Sequence, residues 1–189
     1  MKSRKLFLVG FAVLALTLTN CKKESTTPTT TEPTGDYIRC KVNGVLHTFD
    51  KAGSGGNISN YDDNYEGSPN RKVIQMARLE GLMDVFTIDI FKDLDLLKVP
   101  QTLSYGANTS IDNYEFMITY IQSFKSYMSI YNEEKSNSSI TITSKTNDVI
   151  KGTFKGTYYG INLNTFDLDS VKITDGEFRV KVVRKSLVP

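Results

Sequence analysis

The chain has 189 residues, of which 39% are hydrophobic and 23% charged, enough for one domain with a core of its own. Its formal charge of +2 reflects the first twenty residues: three of the 23 basic residues lie there and all 21 acidic ones follow, so the remainder is close to neutral. No later stretch clusters Lys and Arg, which excludes the electrostatic footprint of a nucleic-acid-binding protein.

Lys2, Arg4 and Lys5 provide a positive start, Leu6 to Leu18 an apolar stretch, and Leu18-Thr19-Asn20-Cys21 a processing site. Together they make residues 1–20 an export signal. The apolar stretch is shorter than the roughly 20 residues a bilayer-spanning helix needs, so it reads as a signal to be removed and not as an anchor. Its end resembles a lipobox, Leu-x-x-Cys, in which the cysteine thiol receives diacylglycerol before cleavage; Asn20 departs from the small residue usual at that position. The resemblance implies a lipidated Cys21 and, through it, the membrane as a partner. Lys22 stands where Asp would favour inner-membrane retention, so the expected location is the outer membrane. Cys40 is then left without a disulfide partner in an oxidising compartment, where an unpaired thiol persists if buried.

Residues 21–35 include the Thr/Pro-rich run Thr26 to Thr34 and read as an extended tether. Residues 36–189 alternate apolar with polar side chains and are rich in Ile, Val, Thr, Tyr and Phe, the strand signature. Asn43-Gly44, the preferred pair for a type I′ turn, joins Tyr37–Val42 to Val45–Phe49. In that register Ile38, Cys40, Val42, Val45, His47 and Phe49 share a face. Further strands are expected at Lys72–Glu80, Asp84–Phe91, Tyr114–Gln122, Lys125–Tyr131, Ser139–Ser144 and Val149–Tyr159, the last with Gly152 and Gly156 where another chain segment packs closely. A second hairpin is expected at Asp175-Gly176, with Val171, Ile173, Phe178, Val180 and Val182 on one face. About eight strands with hairpin connections point to an all-β antiparallel β-sandwich, with a closed antiparallel β-barrel as the alternative.

Three pieces carry a family resemblance: Lys41-Val42-Asn43-Gly44, Lys151-Gly152-Thr153-Phe154 after an Ile-Thr-Ile-Thr strand, and Ile173-Thr174-Asp175-Gly176-Glu177-Phe178. In this order they resemble small Bacteroidota lipoproteins of unknown function. The resemblance implies the fold and the envelope location, and brings no catalytic residue with it.

Three groups of residues are candidates for chemistry. Cys40 and His47 face each other with Cβ atoms about 5 Å apart, the start of a nucleophile–base pair or a metal site, although their apolar neighbours favour a packed core. Asp89, Asp93 and Asp95 share strand parity on an expected wet face and could supply the paired carboxylates of a hydrolase. The connection from Lys51 to Arg71 holds Tyr61, Asp62, Asp63, Tyr65 and Glu66, which offer oxygen ligands for calcium and rings for a glycan or an envelope protein. No cofactor is implied. The leading expectation is a non-enzymatic binding module of the envelope; the alternatives are a small extracytoplasmic hydrolase and a structural envelope component.

Overall fold

The computed structural model describes residues 35–52, 72–104, 114–123, 125–130, 136–161 and 166–184, together with the backbone of 59–62. Within Pro33–Pro189, which form one compact unit, the first two strands follow from their turn. Asn43 (φ 49°) and Gly44 (φ 87°) both take the left-handed conformations of a type I′ turn. Strand β1 (Tyr37–Val42) accordingly pairs with β2 (Val45–Phe49) in the expected register, Ile38 opposite Phe49, Cys40 opposite His47 and Val42 opposite Val45.

The remaining strands are β3 (Ser59–Asp62), β4 (Val73–Glu80), β5 (Asp84–Ile90), β6 (Gln101–Ser104), β7 (Phe116–Gln122), β8 (Lys125–Met128), β9 (Ser139–Thr146), β10 (Val149–Ile161), β11 (Leu168–Lys181) and β12 (Val183–Arg184). The antiparallel all-β expectation holds, and no helix occurs among the described residues. The strand number is higher than about eight because β3, β6 and β12 are short pieces without a clear apolar alternation, stabilised by the neighbours they pair with.

All twelve strands join one sheet, in the order β12-β3-β4-β5-β7-β8-β10-β11-β1-β2, with β9 and β6 branching from β10. The sheet curls until its far flank returns to β4. Leu79 donates its N–H to the Lys51 carbonyl at 2.9 Å and Lys51 donates to the Leu79 carbonyl at 3.2 Å, leaving a nearly closed barrel. This arrangement combines the continuous sheet of a barrel with a core enclosed between opposite walls, as in a sandwich.

One connection differs from expectation. Asp175-Gly176 makes no hairpin; β11 runs unbroken through it with a β-bulge, Asp175 in the left-handed conformation (φ 51°) and the pairing shifted by one residue against both β10 and β1. An extra residue inverts the alternation just as a two-residue turn does, so Val171, Ile173, Phe178 and Val180 still all point inward.

Aromatic contacts hold opposite walls together. Phe86 on β5 meets Phe49 of β2 and Phe154 of β10 with centroids 5.2 Å apart in each case, and Tyr120 of β7 at 5.9 Å. The glycines of β10 make room for this packing. A Cβ at Gly152 would lie 2.5 Å from the Phe178 ring, and one at Gly156 would lie 2.8 Å from the Ser138 Cα. These are the close approaches expected from the sequence.

The registers also sort the connections between two poles. The β1–β2, β4–β5, β7–β8 and β10–β11 turns lie at one end, as the pairs Glu80–Asp84, Val85–Ile121, Gln122–Lys125 and Ile161–Leu168 require. Gly35, the β9–β10 turn and the end of β11 lie at the other. Asp36, at this entry pole, accepts on Oδ2 a hydrogen bond of 2.7 Å from Nη2 of Arg78, which is 2% exposed and reaches it from the inner face of β4, two residues before Glu80. Asp36 Oδ1 accepts the Lys181 N–H at 2.9 Å. One carboxylate thus ties the start of the domain to β4 and to the end of β11.

Removing one partner of a buried ion pair strands the other charge away from water. Asp36→Ala should therefore lower unfolding stability in urea by about 3 kcal/mol, the lower end for such pairs because a quarter of the Asp36 side chain is exposed. Adding Arg78→Met should recover part of the loss.

Candidate functional site

The pole opposite the chain entry is unusually apolar. Of ten large hydrophobic residues exposed among the described residues, seven lie there: Val45 and Leu46 beyond the first turn, Leu82 and Met83 in the β4–β5 turn, and Ile161, Phe166 and Leu168 around the β10–β11 turn. Leu82 is 94% and Phe166 80% exposed. Scattered apolar residues are ordinary on a surface, whereas a concentration at one end stands out from that background and makes this pole the candidate site. The tips are held in place: Asn43 donates its N–H to the Lys172 carbonyl at 2.9 Å and accepts the Lys172 N–H on its Oδ1 at 2.8 Å, pinning the first turn to β11. Gly81 (φ 66°) permits the tight β4–β5 turn.

Below the tips, β2 approaches the end of β4. The Glu80 carboxylate accepts the Thr48 N–H at 3.1 Å on Oε1 and contacts His47 Nδ1 at 2.5 Å through Oε2. The His47 ring stacks against Phe49 at 6.1 Å. Nearby, Tyr127 donates its hydroxyl to Asp169 at 2.9 Å and Lys125 lies 3.6 Å from the same carboxylate. Burial and then the Asp169 contact push the Tyr127 hydroxyl up to about 12.

Cys40, His47 and Glu80 supply the three residue types of a nucleophile–base–acid set, with Glu80 orienting the imidazole. The chemistry fails at the thiol. Cys40 is fully buried, and desolvation, followed by the negative Glu80, pushes its pKa up to about 12. Only a thiolate attacks or ligates, so this cysteine is an inert part of the core. The hydroxyls of Tyr120 and Tyr158, which also border it, are raised by burial and have no hydrogen-bond partner among the described residues.

Asp93 and Asp95 sit side by side, the Asp95 N–H donating to Asp93 Oδ1 at 2.9 Å, but each carboxylate is held by a base. Asp93 and Asp95 occupy the connection after β5 and are salt-bridged, Asp93 to Lys72 at 2.7 Å and Asp95 to both terminal nitrogens of Arg184 at 2.5 and 3.1 Å. The Arg184 hydrogen bonds hold the Asp95 carboxyl below its ordinary range. Asp89 was expected on the wet face with them, yet it is 5% exposed. Its outer-face neighbourhood on β4 and β5 includes Ala77, also buried, and burial pushes the Asp89 carboxyl from 3.8 up to about 6 against the pull of a Gln75 hydrogen bond. No acid–base pair is assembled from these groups.

The expected loop site is divided. Tyr61 and Asp62 belong to β3, opposite Ile74 and Val73, so the connection from Lys51 to Arg71 contains a strand. Asp63, Tyr65 and Glu66 lie outside the described residues. No group of three His, Cys, Asp or Glu side chains among the described residues is placed to hold a metal ion. A shallow cleft of about 500 Å³ opens on the outer face beside the β11 bulge, lined by Ser139, Thr141, Thr153, Lys155, Asp175 and Glu177. Its two acids are already matched, Asp175 by Lys41 at 2.8 Å and Glu177 by Arg39.

Sequence reasoning passed over the apolar tips. Their signal was an apolar pair, Leu82-Met83, directly after a glycine where a turn ordinarily carries polar residues, and an isolated Phe166 before Asp167. No family model matches the chain, and neither does any curated protein or solved structure.

Two outcomes follow from the buried groups. Iodoacetamide should leave Cys40 unmodified in the folded domain and label it once urea unfolds the chain; rapid labelling of the native domain would contradict its burial. Asp89 binds its proton more tightly in the native state than in the unfolded one, so its contribution is fully present below about pH 4 and is lost as pH rises through about 6. Asp89→Asn should remove this decline, raising stability at pH 7 relative to wild type by on the order of 2 kcal/mol, read from urea midpoints across pH 4–7.

Proposed function

We propose that the chain is an envelope lipoprotein, held on the outer membrane by acyl groups on Cys21, and that its barrel is a non-enzymatic binding module. The observation that carries this reading is the opposition of the two poles: the chain enters the barrel at Gly35, beside the clamped Asp36, while the exposed apolar tips gather at the far end. A domain tethered at one pole presents the other outward. The lipobox-like Leu18-Thr19-Asn20-Cys21 and the Thr/Pro-rich residues that follow support the tethering, and the tips support recognition. The stretch that holds Tyr61, Asp62, Asp63, Tyr65 and Glu66 is a second candidate contact for a glycan or an envelope protein.

A hydrolytic reading finds no support in the buried Asp89 or in Asp93 and Asp95, both engaged in salt bridges. A purely structural envelope role would leave the apolar pole without a purpose.

The anchor is tested by mass spectrometry of the mature N-terminus together with detergent-phase partitioning. The expected product begins at acylated Cys21 and enters the detergent phase, and Cys21→Ser abolishes both. An unacylated chain beginning elsewhere would overturn the assignment.

A further inference from the structure

We infer that the surface around the chain entry rests on a bilayer bearing anionic headgroups, so that the barrel stands on the membrane with its turns outward. This deepens the envelope-lipoprotein reading and rests on its lipid anchor, since a tether alone keeps the domain nearby but leaves its orientation free. The three large apolar residues exposed outside the tips, Leu96, Val99 and Val183, gather near the entry. The Asp36 carboxylate, next to Gly35, accepts the Lys181 N–H; Val183 lies two residues beyond, and Arg184 bonds to Asp95, the neighbour of Leu96. Leu94 and Leu97 are buried and root this connection, and Lys145 fixes it by donating to the Leu94 carbonyl at 2.8 Å. Leu96 and Val99 are thus held outward on a supported segment.

The charges left over here are basic. Asp36 is matched by Arg78 and Arg179, and Asp95 and Asp148 by Arg184. Lys98, Lys151 and Lys181 are exposed, and none of the three forms an ion pair among the described residues. Lys98 lies between Leu96 and Val99, while the registers that set Lys151 opposite Ser144 and Lys181 opposite Val149 place the other two beside the β9–β10 turn. Apolar side chains interspersed with lysines suit a headgroup layer: the apolar groups enter it, the lysine stems follow, and the ammonium groups meet anionic phosphate. A second copy of the chain would set lysines against lysines. Residues 22–35 reach at most about 50 Å when fully extended, so acyl groups on Cys21 confine the entry to that distance from the bilayer. Tethering raises the local concentration of headgroups, and contacts too weak to hold a free domain then suffice.

The experiment attaches an environment-sensitive nitrobenzoxadiazole fluorophore through Leu96→Cys or, at the tips, Leu82→Cys, the buried Cys40 being shielded from the label. The full chain, purified from cells that process it, is reconstituted into vesicles of phosphatidylglycerol and phosphatidylcholine in equal parts. Emission from position 96 should shift to the blue and be quenched by headgroup nitroxides, with neither effect at position 82. Both effects should fade in high salt and in vesicles of phosphatidylcholine alone. Unshifted emission at 96, equal quenching at 82, or a shift at 96 that needs no lipid and grows with protein concentration would overturn the proposal. A Cys21→Ser chain separates this face from the anchor. Its weaker partitioning into the same vesicles should fall about fivefold or more with Lys98→Glu, the thermal midpoint staying in place because the side chain is exposed. Partitioning that Lys98→Glu leaves unchanged would sink the docking face. Sensitivity to Lys98→Glu leaves the face standing even if the mature N-terminus proves unacylated, and an acylated chain with position 96 in water keeps the anchor alone.

Discussion

The architecture depends on the bulge at Asp175-Gly176. Strand β11 runs from Leu168 to Lys181 and pairs along its length with β10 on one side and with β1 on the other. A regular strand of that length would turn Val171 and Ile173 to one face and Phe178 and Val180 to the opposite one. The extra residue, accommodated by the left-handed Asp175, brings both pairs to the same interior and sharpens the local twist so the sheet can curl. β1 follows the bend and delivers Ile38 and Cys40 to the core, and its turn reaches the apolar pole. Shorter strands then pack against a wall already shaped by β10 and β11.

How much of this was legible depends on what each residue type specifies locally. Asn43-Gly44 is a turn by its own conformational preference, and the alternation of Ile38, Cys40 and Val42 placed the first hairpin in register before any tertiary contact was known. Gly152 and Gly156 announced close packing because nothing else explains glycine on a buried strand face. Asp175-Gly176 misled for a physical reason: a two-residue turn and a one-residue bulge invert the same alternation and favour the same residue types. Only the long-range pairing with β1 and β10 decides between them. The burial of Asp89 was equally invisible, because strand parity tells which face a side chain takes and not whether that face is covered. Ser59–Asp62 became a strand through its partner β4, with no apolar pattern of its own.

The candidate site separates along the same line. Sequence motifs drew attention to groups that carry reactivity, namely a thiol opposite an imidazole, three aspartates in step and an acidic loop. In the fold the described members of these groups are buried, ion-paired or built into a strand. The seam between β2 and β4 is an example, where the Glu80 carboxylate satisfies the outward Thr48 amide as a neighbouring strand would and so blunts an otherwise open edge. The unmatched surface is the apolar one at the turns, and recognising it required knowing that four turns distant in sequence share a pole.

The pairing of β1 with β11 also governs how the chain reaches this state. Asp36 and the Lys181 amide that it accepts are separated by 145 residues, and the walls of the core close only when those distant ends meet. Loop-closure entropy opposes such contacts until most of the chain is available, which makes the folding of this topology slow. A chain emerging from its amino terminus, whether from a ribosome or through a narrow channel, therefore cannot complete its fold until its last long strand has arrived. For any polypeptide that must be threaded in extended form, that delay keeps it competent for passage, and folding begins where passage ends.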